Sequence, residues 1–503
     1  MPAKNPPPNP VRNPKVILLL LGTFGLILLL FFFPSSTSLQ PDQPLTIFTD
    51  HLDRQVPVLL KRYQVPGVSL ALVKDGQVAW TGAYGFADLE SGREMTPDTP
   101  CRVQSISKSV TAWGVLKLAE DQKIDLDLPL VNYLHSWQLP ETRFPEEEIT
   151  IRQLLNQTSG MPLGTIGVHY SPDESRPGLR ENLSKEARLA GEPGDSYSYS
   201  NPGFNLLELL IEEVTGRNFA EYMKSEVLNP LGMHQASFNL QETWRDQVPL
   251  AYDSRGNGIP VYIYPEKAAG GLFASAEEIA QFLSAGMLSS KNPGGNVIDP
   301  ESLQLLYSPA VELTGYYSLV SETYGMGHFI ETLDSGETAV WHGGQGHGWM
   351  THFHSIPERG DGIVILTNSQ RSWPFFAHIL QNWANWSDFS PPGMVLILKA
   401  ARVVWGATVG LGLILIWQGF YLGAGLLSGS RKFDPFLPSN RLRRLAAAAG
   451  SAAILLYLIF ELIRGYSFLA SIFPAVYPWL VMVMILLAIE LLLFSLFPEN
   501  QAS

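Results

Sequence analysis

A serine and a lysine three residues apart could supply a nucleophile and its base. Ser105 and Lys108 are the only pair in the chain with this order and spacing. At the beginning of a helix this spacing puts both side chains on one face, so the Lys108 amine can hydrogen-bond the Ser105 hydroxyl. A serine attacks a carbonyl once a neighbour takes its proton, and a lysine can do so when burial lowers its pKa. The pair therefore indicates acyl transfer, although an ordinary solvated lysine gives the same short pattern.

A tyrosine and an asparagine further along the chain could complete such a site. Tyr199, Ser200 and Asn201 follow a turn-rich segment and lead into an apolar helical pattern. A phenol held near an ammonium loses its proton more easily, so Tyr199 is a candidate base and then a proton donor to the leaving group. The Asn201 side chain donates and accepts hydrogen bonds, which suits a substrate amide. The alternative is that Asn201 only caps the helix.

The third element is a glycine-rich segment, WHGGQGHGW, from Trp341 to Trp349. Glycines in a strand permit a substrate to approach the backbone closely, and Gly344 is the candidate here. The N–H of Gln345 could then form one half of an oxyanion hole, with the N–H of Ser105 as the other half. Alone, such a segment is more often a bulge or a turn.

In this order and with their surrounding sequence, the three elements resemble the serine β-lactamase and penicillin-binding-protein superfamily, specifically its class C-like branch. The resemblance extends over about residues 45–370 and includes the blocks VPGVSLALVKDGQVAW, ITIRQLLNQTSGMP and AAGGLFASAEEIAQFL. It implies an α+β fold in which an antiparallel sheet flanked by helices adjoins an all-helical lobe. The site lies between the two.

The resemblance also implies roles for individual residues. Ser105 would be the acylated nucleophile, with Lys108 and Tyr199 as the proton-transfer pair. The substrate-binding residues would be Asn201, His342, Gly344 and Gln345. His342 stands where many relatives have a lysine that supports substrate carboxylates, and a histidine is mostly neutral at pH 7. The substitution favours a peptidase or esterase over an enzyme that hydrolyses β-lactams efficiently.

Strand and helix patterns place these residues in the fold. Two β-rich runs joined by Lys74-Asp75-Gly76 predict a hairpin after an amphipathic helix at Leu45–Tyr63. Apolar spacing predicts a helix from Ser105 to Leu118, and Ser275 is a good helix N-cap. Strands return from about Tyr324 to Asn368. Strands at both ends with helices between them predict one sheet built from the two ends of the domain.

The amino-acid composition excludes several classes of protein. It has 503 residues, a net charge of −13, 16% charged residues, 46% hydrophobic residues and a mean hydropathy of +0.07. Such a low charged fraction indicates that part of the chain lies in lipid. The acidic balance argues against a nucleic-acid partner. The one cysteine, Cys101, excludes an intramolecular disulfide and a cysteine-rich metal site.

Four apolar runs define the domain organisation. Val16–Phe33 follows a basic leader and predicts an uncleaved anchor or a signal peptide within residues 1–36. Residues 37–390 form the predicted hydrolase domain. Residues 391–503 form a membrane domain with three spans, at about 403–427, 445–463 and 478–497. Lys399 and Arg402, just before the first of these spans, predict an interfacial turn.

Charge predicts the orientation in the cell membrane. The loop between the first two C-terminal spans carries five basic residues against Asp434, and the N-terminal leader is also basic. Both are therefore placed on the cytoplasmic side, and the hydrolase domain outside. The whole chain carries −13, the leader +3 and the residues from Gly393 onward +4, which leaves −20 on Pro34–Pro392.

The prediction from sequence is thus a membrane-anchored extracytoplasmic serine hydrolase without metal or cofactor, whose partners are a small-molecule or peptide substrate and the lipid membrane. The alternative is a membrane sensor that binds its ligand or is acylated by it, or another non-hydrolytic ligand-binding protein, and a transporter is a weaker alternative. Glu461 and Glu490, in or near predicted spans, motivate both. A zinc site is a further alternative because histidines cluster in sequence at His342, His347, His352 and His354.

Overall fold

The computed structural model describes residues 39–41, 43–165, 168–315, 317–435, 441–464 and 467–499. The chain divides into two compact units. The first runs from Leu39 to Leu396, and the described part of the second begins at Ile397. The predicted N-terminal span, Val16–Phe33, lies outside the described residues.

The first unit contains the strands and nine α-helices within its described residues. The strands are β1 (Gly67–Lys74), β2 (Gln77–Asp88), β3 (Arg93–Glu94), β4 (Cys101–Arg102), β5 (Ala251–Tyr252), β6 (Gly258–Ile259), β7 (Phe273–Ala274), β8 (Val311–Glu312), β9 (Thr323–Tyr324), β10 (Phe329–Thr332), β11 (Thr338–Gln345), β12 (Met350–Ile356) and β13 (Asp361–Thr367). The helices are α1 (Leu45–Tyr63), α2 (Ile106–Glu120), α3 (Ile151–Leu155), α4 (Leu179–Glu186), α5 (Asn201–Thr215), α6 (Phe219–Met223), α7 (Ala276–Ala285), α8 (Pro300–Leu306) and α9 (Trp373–Ser387).

One antiparallel sheet joins the two ends of this unit, as predicted. Its strand order is β3-β2-β1-β13-β12-β11-β10-β9-β8. The connection from β1 to β2 is the predicted hairpin, in which Asp75 and Gly76 both have positive φ, 50° and 71°. Two positive φ angles in a two-residue turn match the right-handed twist of the flanking strands. The predicted α+β fold class is confirmed.

Helices cover both faces of the sheet because side chains alternate along each strand. On one face Phe353 of β12 packs against Phe282 of α7, with ring centroids 6.3 Å apart. On the other face its neighbours His352 and His354 pack against Phe376 and Trp383 of α9. The sheet is therefore the middle layer of three.

Helix α2 differs from a surface helix because it is buried on nearly all sides. Residues 106–116 are all buried, including Lys108 and Trp113. The helix contacts β11 and β12 in the sheet on one side and helix α5 on another. A helix enclosed in this way has no polar stripe, so its own polar side chains need partners inside the protein.

Several helix starts follow local capping chemistry. Ser275 caps α7 as predicted and forms a capping box with Glu278, in which each side chain accepts from the other residue's backbone N–H. Thr150 and Gln153 do the same at α3. Such boxes satisfy two otherwise unpaired N–H groups at a helix start.

The second unit contains the helices α10 (Leu396–Leu427), α11 (Arg441–Arg464), α12 (Phe468–Ile472) and α13 (Tyr477–Leu496). Three segments are long and apolar enough to cross a membrane, namely Gly393–Leu427, Arg441–Ile463 and Tyr477–Leu496. Lys399 and Arg402 lie within α10, so the interfacial turn predicted there is wrong. The apolar run that follows them extends the same helix backward, and nothing in ILKAARVV breaks it.

An arginine of the loop after α10 and another in the first turn of α11 bind the end of α13. Arg431 Nη1 donates to the carbonyl of Phe497 at 3.0 Å, and Arg444 Nε donates to that of Ser495 at 2.8 Å. The last carbonyls of a helix lack intrahelical partners and carry partial negative charge, so cations are favourable there. These basic residues therefore have a structural role within the second unit.

Candidate active site

Ser105 lies immediately before α2, at the only partly exposed position between Cys101 and Leu116. The residue before it, Gln104, has φ of 53°, a left-handed conformation that is uncommon outside glycine. Its amide is held in that conformation by hydrogen bonds with the hydroxyls of Tyr262 (3.1 Å) and Tyr264 (3.0 Å). The backbone turns sharply here and presents Ser105 at the end of a buried helix.

The segment around Ser105 is fixed by side-chain hydrogen bonds to distant parts of the chain. They join Thr351 Oγ1 to Val103 O (2.7 Å), Leu272 N to Ser107 Oγ (3.0 Å), Ser109 Oγ to Gly327 O (2.7 Å) and Thr111 Oγ1 to Ala268 O (3.1 Å). Each buried hydroxyl of this sequence, SISKSVT, thus has a partner.

Lys108 is bound to three oxygen atoms. Its Nζ lies 3.2 Å from Ser105 Oγ, 2.8 Å from Asn201 Oδ1 and 2.8 Å from the carbonyl oxygen of Ala269. The sequence predicted the contact with Ser105. No carboxylate within the described residues forms an ion pair with Lys108.

Burial lowers the pKa of Lys108 well below the ordinary lysine value, because the charged ammonium loses its hydration. A neutral amine has two N–H donors and one lone pair. Asn201 and Ala269 supply acceptors for two donors, which leaves the lone pair for the Ser105 hydroxyl. The geometry therefore suits removal of the Ser105 proton by Lys108.

Asn201 is the first residue of α5, and the helix cap is its neighbour. Ser200 Oγ accepts from the Gly203 N–H at 2.9 Å. The alternative that Asn201 only caps the helix is therefore wrong. Its Oδ1 accepts from Lys108, and its Nδ2 donates no hydrogen bond within the described part of the chain. That amide N–H group is available to a substrate carbonyl.

Tyr199 lies beside the Ser105–Lys108 pair, with its ring centroid 4.8 Å from Lys108 Nζ. Burial raises its pKa well above the ordinary value, nearby Tyr324 and Tyr317 raise it further, and the Ser105 hydroxyl lowers it less. The lowered pKa expected from a neighbouring ammonium is thus not found, because Lys108 favours its neutral form and burial keeps the Tyr199 phenol protonated. This state suits a proton donor, whereas the lone pair of a neutral Lys108 suits a base.

His342 is neutral, and its ring lies beside that of Tyr199, with centroids 6.3 Å apart. It is 1% exposed, and burial followed by the charge of Lys108 lowers its pKa well below the ordinary value. Its Nδ1–H donates to the carbonyl of Gly343 at 2.8 Å, since a carbonyl can only accept. Its Nε2 therefore accepts, and the Tyr324 hydroxyl lies 3.4 Å away. Direct binding of substrate by His342 stays a prediction.

Gly344 allows β11 to approach the segment before Ser105. A Cβ at this position would overlap the Val103 carbonyl, the Gln104 side chain and Thr351 Oγ1. Its closest neighbours are thus the protein's own atoms, and its contact with substrate stays a prediction. Gly344 nevertheless brings the strand that carries Gln345 next to Ser105.

The Ser105 N–H donates no hydrogen bond to any described residue. It is therefore available to bind an oxyanion, as predicted for one half of the oxyanion hole. The other half, the Gln345 N–H, lies on β11 at the position paired with Met350. Its role in binding an oxyanion stays a prediction.

The histidine cluster does not form a metal site in the part of the chain that the structure describes. No three His, Cys, Asp or Glu side chains there could hold one ion. His352 and His354 share a strand face as predicted, with ring centroids 5.6 Å apart, but they face α9. Burial lowers the pKa of His352 to about 3, so the ring is neutral.

Two positions that sequence reasoning missed hold Lys108 in place. Glu208 in α5 is buried and accepts from the N–H groups of Lys267 and Ala268, at 2.6 and 2.8 Å. These N–H groups belong to the turn whose next carbonyl, that of Ala269, binds Lys108. A carbonyl has no sequence signature, but a lone glutamate within the apolar run NLLELL is a signal. Glu208 and Lys267 also border a cavity of about 470 Å³ that contains none of the predicted site residues.

Comparison with known families matches residues 52–384 to the family described as Beta-lactamase. Among curated proteins, the chain is similar to Protein flp of Staphylococcus aureus, with 25% identity over 324 residues, 61% of this chain and 60% of that protein. It is also similar to Unguisins hydrolase ungD' of Aspergillus campestris, with 26% identity over 341 residues, 64% of this chain and 63% of that protein. The chain thus matches less than two thirds of each relative's length.

Solved structures give the same fold. The octameric penicillin-binding protein homologue from Pyrococcus abyssi superposes with a TM-score of 0.59 at 25% identity, covering 71% of this chain and 81% of that chain. SurE with D-Leu superposes with a TM-score of 0.54 at 22% identity, covering 69% of this chain and 78% of that chain. At 22% identity, the similarity to SurE shows a shared fold and nothing more.

Proposed function

The chain belongs to the Beta-lactamase family, and from that premise we propose that it is a serine hydrolase that cleaves an amide or ester through an acyl-enzyme on Ser105. The observation that carries the proposal is the contact between Lys108 Nζ and Ser105 Oγ, in surroundings that favour a neutral amine. A relative named as a hydrolase supports it.

In the proposed reaction, Ser105 Oγ attacks the substrate carbonyl carbon and its proton passes to Lys108. The carbonyl electrons move to the oxygen, which the Ser105 N–H binds together with the Gln345 N–H. When the bond to the leaving group breaks, Tyr199 gives the leaving group a proton and regains one from Lys108. Water then attacks the acyl-enzyme with the same groups in reverse order, releasing the acid and restoring Ser105.

The absence of a positive charge at His342 disfavours substrates that carry a carboxylate. His342 offers no positive charge to a substrate carboxylate, and the chain from Pro34 to Pro392 carries −20. Anionic substrates are therefore disfavoured both at short and at long range. The proposed substrate is an uncharged or amphiphilic ester or peptide, and β-lactam hydrolysis is expected to be slow.

The proposed location is a membrane with the hydrolase unit on the extracytoplasmic side. Three helices long enough to cross a membrane support the association. Two basic residues between α10 and α11 and three more in the first turn of α11 support the cytoplasmic placement of that loop. A cysteine placed between Arg431 and Arg444 should resist impermeant thiol reagents in intact cells, and rapid labelling there would reverse the orientation.

The experiment for the activity uses the full chain in detergent. It is incubated with a fluorophosphonate, with a fluorescent penicillin and with p-nitrophenyl acetate, and the adduct is located by peptide mapping. Ser105→Ala should remove both the adduct and acetate hydrolysis. Ser171→Ala, at an exposed serine, is the matched control and should retain both.

The outcomes separate the proposal from its alternative. Absence of an adduct on Ser105, together with unchanged acetate hydrolysis in Ser105→Ala, would exclude the serine hydrolase. A stable penicillin adduct on Ser105 with no turnover of any ester would identify an acylated membrane sensor instead.

A further inference from the structure

Arg102 is a buried cation that takes no part in the proposed reaction. It lies in β4, three residues before Ser105, and is 2% exposed. No carboxylate in the described part of the chain forms an ion pair with it. An arginine keeps its charge inside a protein, and burying a charge without a carboxylate is costly. Its other partners must therefore compensate for the lost hydration.

Three aromatic rings and two backbone carbonyls surround the guanidinium. Its carbon lies 4.4 Å from the ring centroid of Phe273 and 4.9 Å from those of Tyr262 and Tyr264. A cation over an aromatic face is attracted by the π electrons. Nη2 donates to the carbonyl of Tyr262, and Nη1 lies 3.5 Å from the carbonyl oxygen of Gly270. Arg102 thus binds one chain segment at four positions.

The two tyrosines beside the guanidinium also hold the residue before the nucleophile. The hydroxyls of Tyr262 and Tyr264 hydrogen-bond the amide of Gln104, which has the left-handed backbone conformation. The Tyr262 hydroxyl also donates to the carbonyl of His347 at 3.1 Å, two residues beyond Gln345. A shift of Tyr262 would therefore move the backbone on both sides of the proposed oxyanion hole.

The Gly270 carbonyl connects Arg102 to the proposed base. Gly270 follows Ala269, whose carbonyl oxygen binds Lys108 Nζ at 2.8 Å. Glu208 binds two N–H groups of the same turn. Loss of the guanidinium would remove a second attachment of this turn and displace an acceptor that orients the Lys108 lone pair.

We propose that Arg102 is a positioning residue, which fixes the nucleophile and the base of the site relative to each other. It acts through Gln104 on one branch and through the Ala269–Gly270 turn on the other. The inference rests on the proposed function, because it concerns the alignment of Ser105 and Lys108 for acyl transfer. Misalignment by a fraction of an ångström slows the chemical step more than it weakens binding.

The test measures fluorophosphonate labelling of Ser105 in the full chain in detergent, as a function of reagent concentration. In Arg102→Lys the compact ammonium lacks the planar fork that spans both carbonyls. We expect the maximal labelling rate to fall at least about tenfold, while the concentration giving half the maximal rate stays within about threefold. Arg102→Gln buries no charge, so it keeps the test open if the lysine variant does not fold, and it should show the same split.

Arg93→Lys is the matched control. Arg93 in β3 also binds two carbonyls, since its Nη1 donates to Gln247 at 2.8 Å and its Nη2 donates to Val248 at 3.0 Å. Its loss should lower the thermal unfolding temperature about as much as Arg102→Lys does, yet leave the maximal labelling rate within about twofold. An equal fall of the labelling rate in the two lysine variants would overturn the inference, because Arg102 would then contribute only general stability. A loss of less than threefold in both Arg102 variants would also overturn it.

A double substitution tests the branch through Gln104. Tyr264→Phe keeps the ring beside the guanidinium but removes a hydroxyl that holds Gln104, and it should lower the maximal labelling rate about threefold. Because both residues act on Gln104, the variant with Arg102→Lys and Tyr264→Phe together should lose less than the product of the two single losses. A loss equal to that product would contradict the proposed branch.

These failures differ from failure of the proposed function. If Ser105→Ala abolishes acetate hydrolysis and the Arg102 variants behave as the wild type, the serine hydrolase stands and only the inference fails. If acetate hydrolysis persists in Ser105→Ala, the proposed function itself fails, and the inference fails with it.

Discussion

Two nitrogen bases lie near Tyr199, one on α2 and one on β11, and burial lowers the pKa of both. Lys108 on α2 binds Ser105, Asn201 and Ala269, so its lone pair faces the nucleophile. His342 on β11 donates through Nδ1 to the carbonyl of Gly343, and its Nε2 lies next to the Tyr324 hydroxyl, so its lone pair faces Tyr324 and not Ser105. Desolvation alone thus does not identify a catalytic base. The direction of the hydrogen bonds decides which neutral nitrogen can take a proton from Ser105.

Removal of the Lys108 amine should lower the catalytic rate more than any other substitution considered on α2 or β11. In Lys108→Met the apolar stem remains but no group accepts the Ser105 proton, so kcat/KM for p-nitrophenyl acetate should fall about a thousandfold. The rate of fluorophosphonate labelling should fall in parallel. Lys123→Met, at an exposed lysine, is the control and should retain wild-type kinetics. A loss smaller than threefold in Lys108→Met would refute the assignment of the base.

The pH dependence distinguishes the two nitrogens. The active form of Lys108 is the neutral amine, so kcat/KM should be full above its lowered pKa and fall about tenfold per pH unit below it. The midpoint should lie below the ordinary lysine value of about 10.4. Because His342 is neutral throughout this range, His342→Gln should keep the same acidic limb. If the acidic limb of the kcat/KM profile disappeared in His342→Gln, the base would be His342 on β11 and not Lys108.

The glycines of β11 offer a matched pair of substitutions. A Cβ at Gly344 overlaps Val103 and Thr351, whereas the nearest atom to a Cβ at Gly343 is 3.7 Å away. We expect Gly344→Ala to lower the free energy of unfolding by about 1–3 kcal/mol, as overpacking does, and to impair catalysis by displacing the Ser105 segment. Gly343→Ala should change both much less. The two variants are compared by thermal unfolding and by kcat/KM for p-nitrophenyl acetate. Equal effects of Gly344→Ala and Gly343→Ala would contradict the prediction.

The smallest effect on catalysis is expected from substitution of His342. His342→Gln retains a polar side chain near Tyr324, and a neutral hydrogen bond contributes about 1 kcal/mol. We therefore expect kcat/KM for acetate to fall by no more than about fivefold, measured beside Lys108→Met under the same conditions. A loss comparable to that of Lys108→Met would show that both bases act in the reaction.

Much of the fold follows from local signals in the sequence. The Asp75-Gly76 turn, the Ser275 cap and the strand patterns at the two ends of the first unit each act over a few residues, and the antiparallel sheet follows from them. The error at Lys399 and Arg402 has a local cause as well. Charged residues suggested a break, yet both have good helix propensity and their apolar neighbours extend α10.

The site was less accessible to prediction because its chemistry depends on contacts distant in sequence. Ser105, Lys108 and Asn201 could be singled out by residue type, but the Ala269 carbonyl could not, since every residue has one. The protonation state of Tyr199 depends on its burial beside Tyr317 and Tyr324, more than a hundred residues away. The spacing of residues in the sequence can suggest which of them lie close together. The protonation state of a titratable group can be predicted only once its surroundings in the fold are known.

The central position of β1 and β13 in the sheet has a consequence for biosynthesis. The Gly67 N–H donates to the Asn368 side chain 301 residues later, and β1 pairs with β13 from Val68 to Val73. A ribosome therefore makes nearly all of the first unit before β13, the second partner of β1, exists, and the apolar helix α10 follows within about thirty residues. Sheets closed by such distant segments form late. The sheet must accordingly remain open in the nascent chain until α10 is about to be made, so completion of the sheet and synthesis of this apolar helix are nearly simultaneous events.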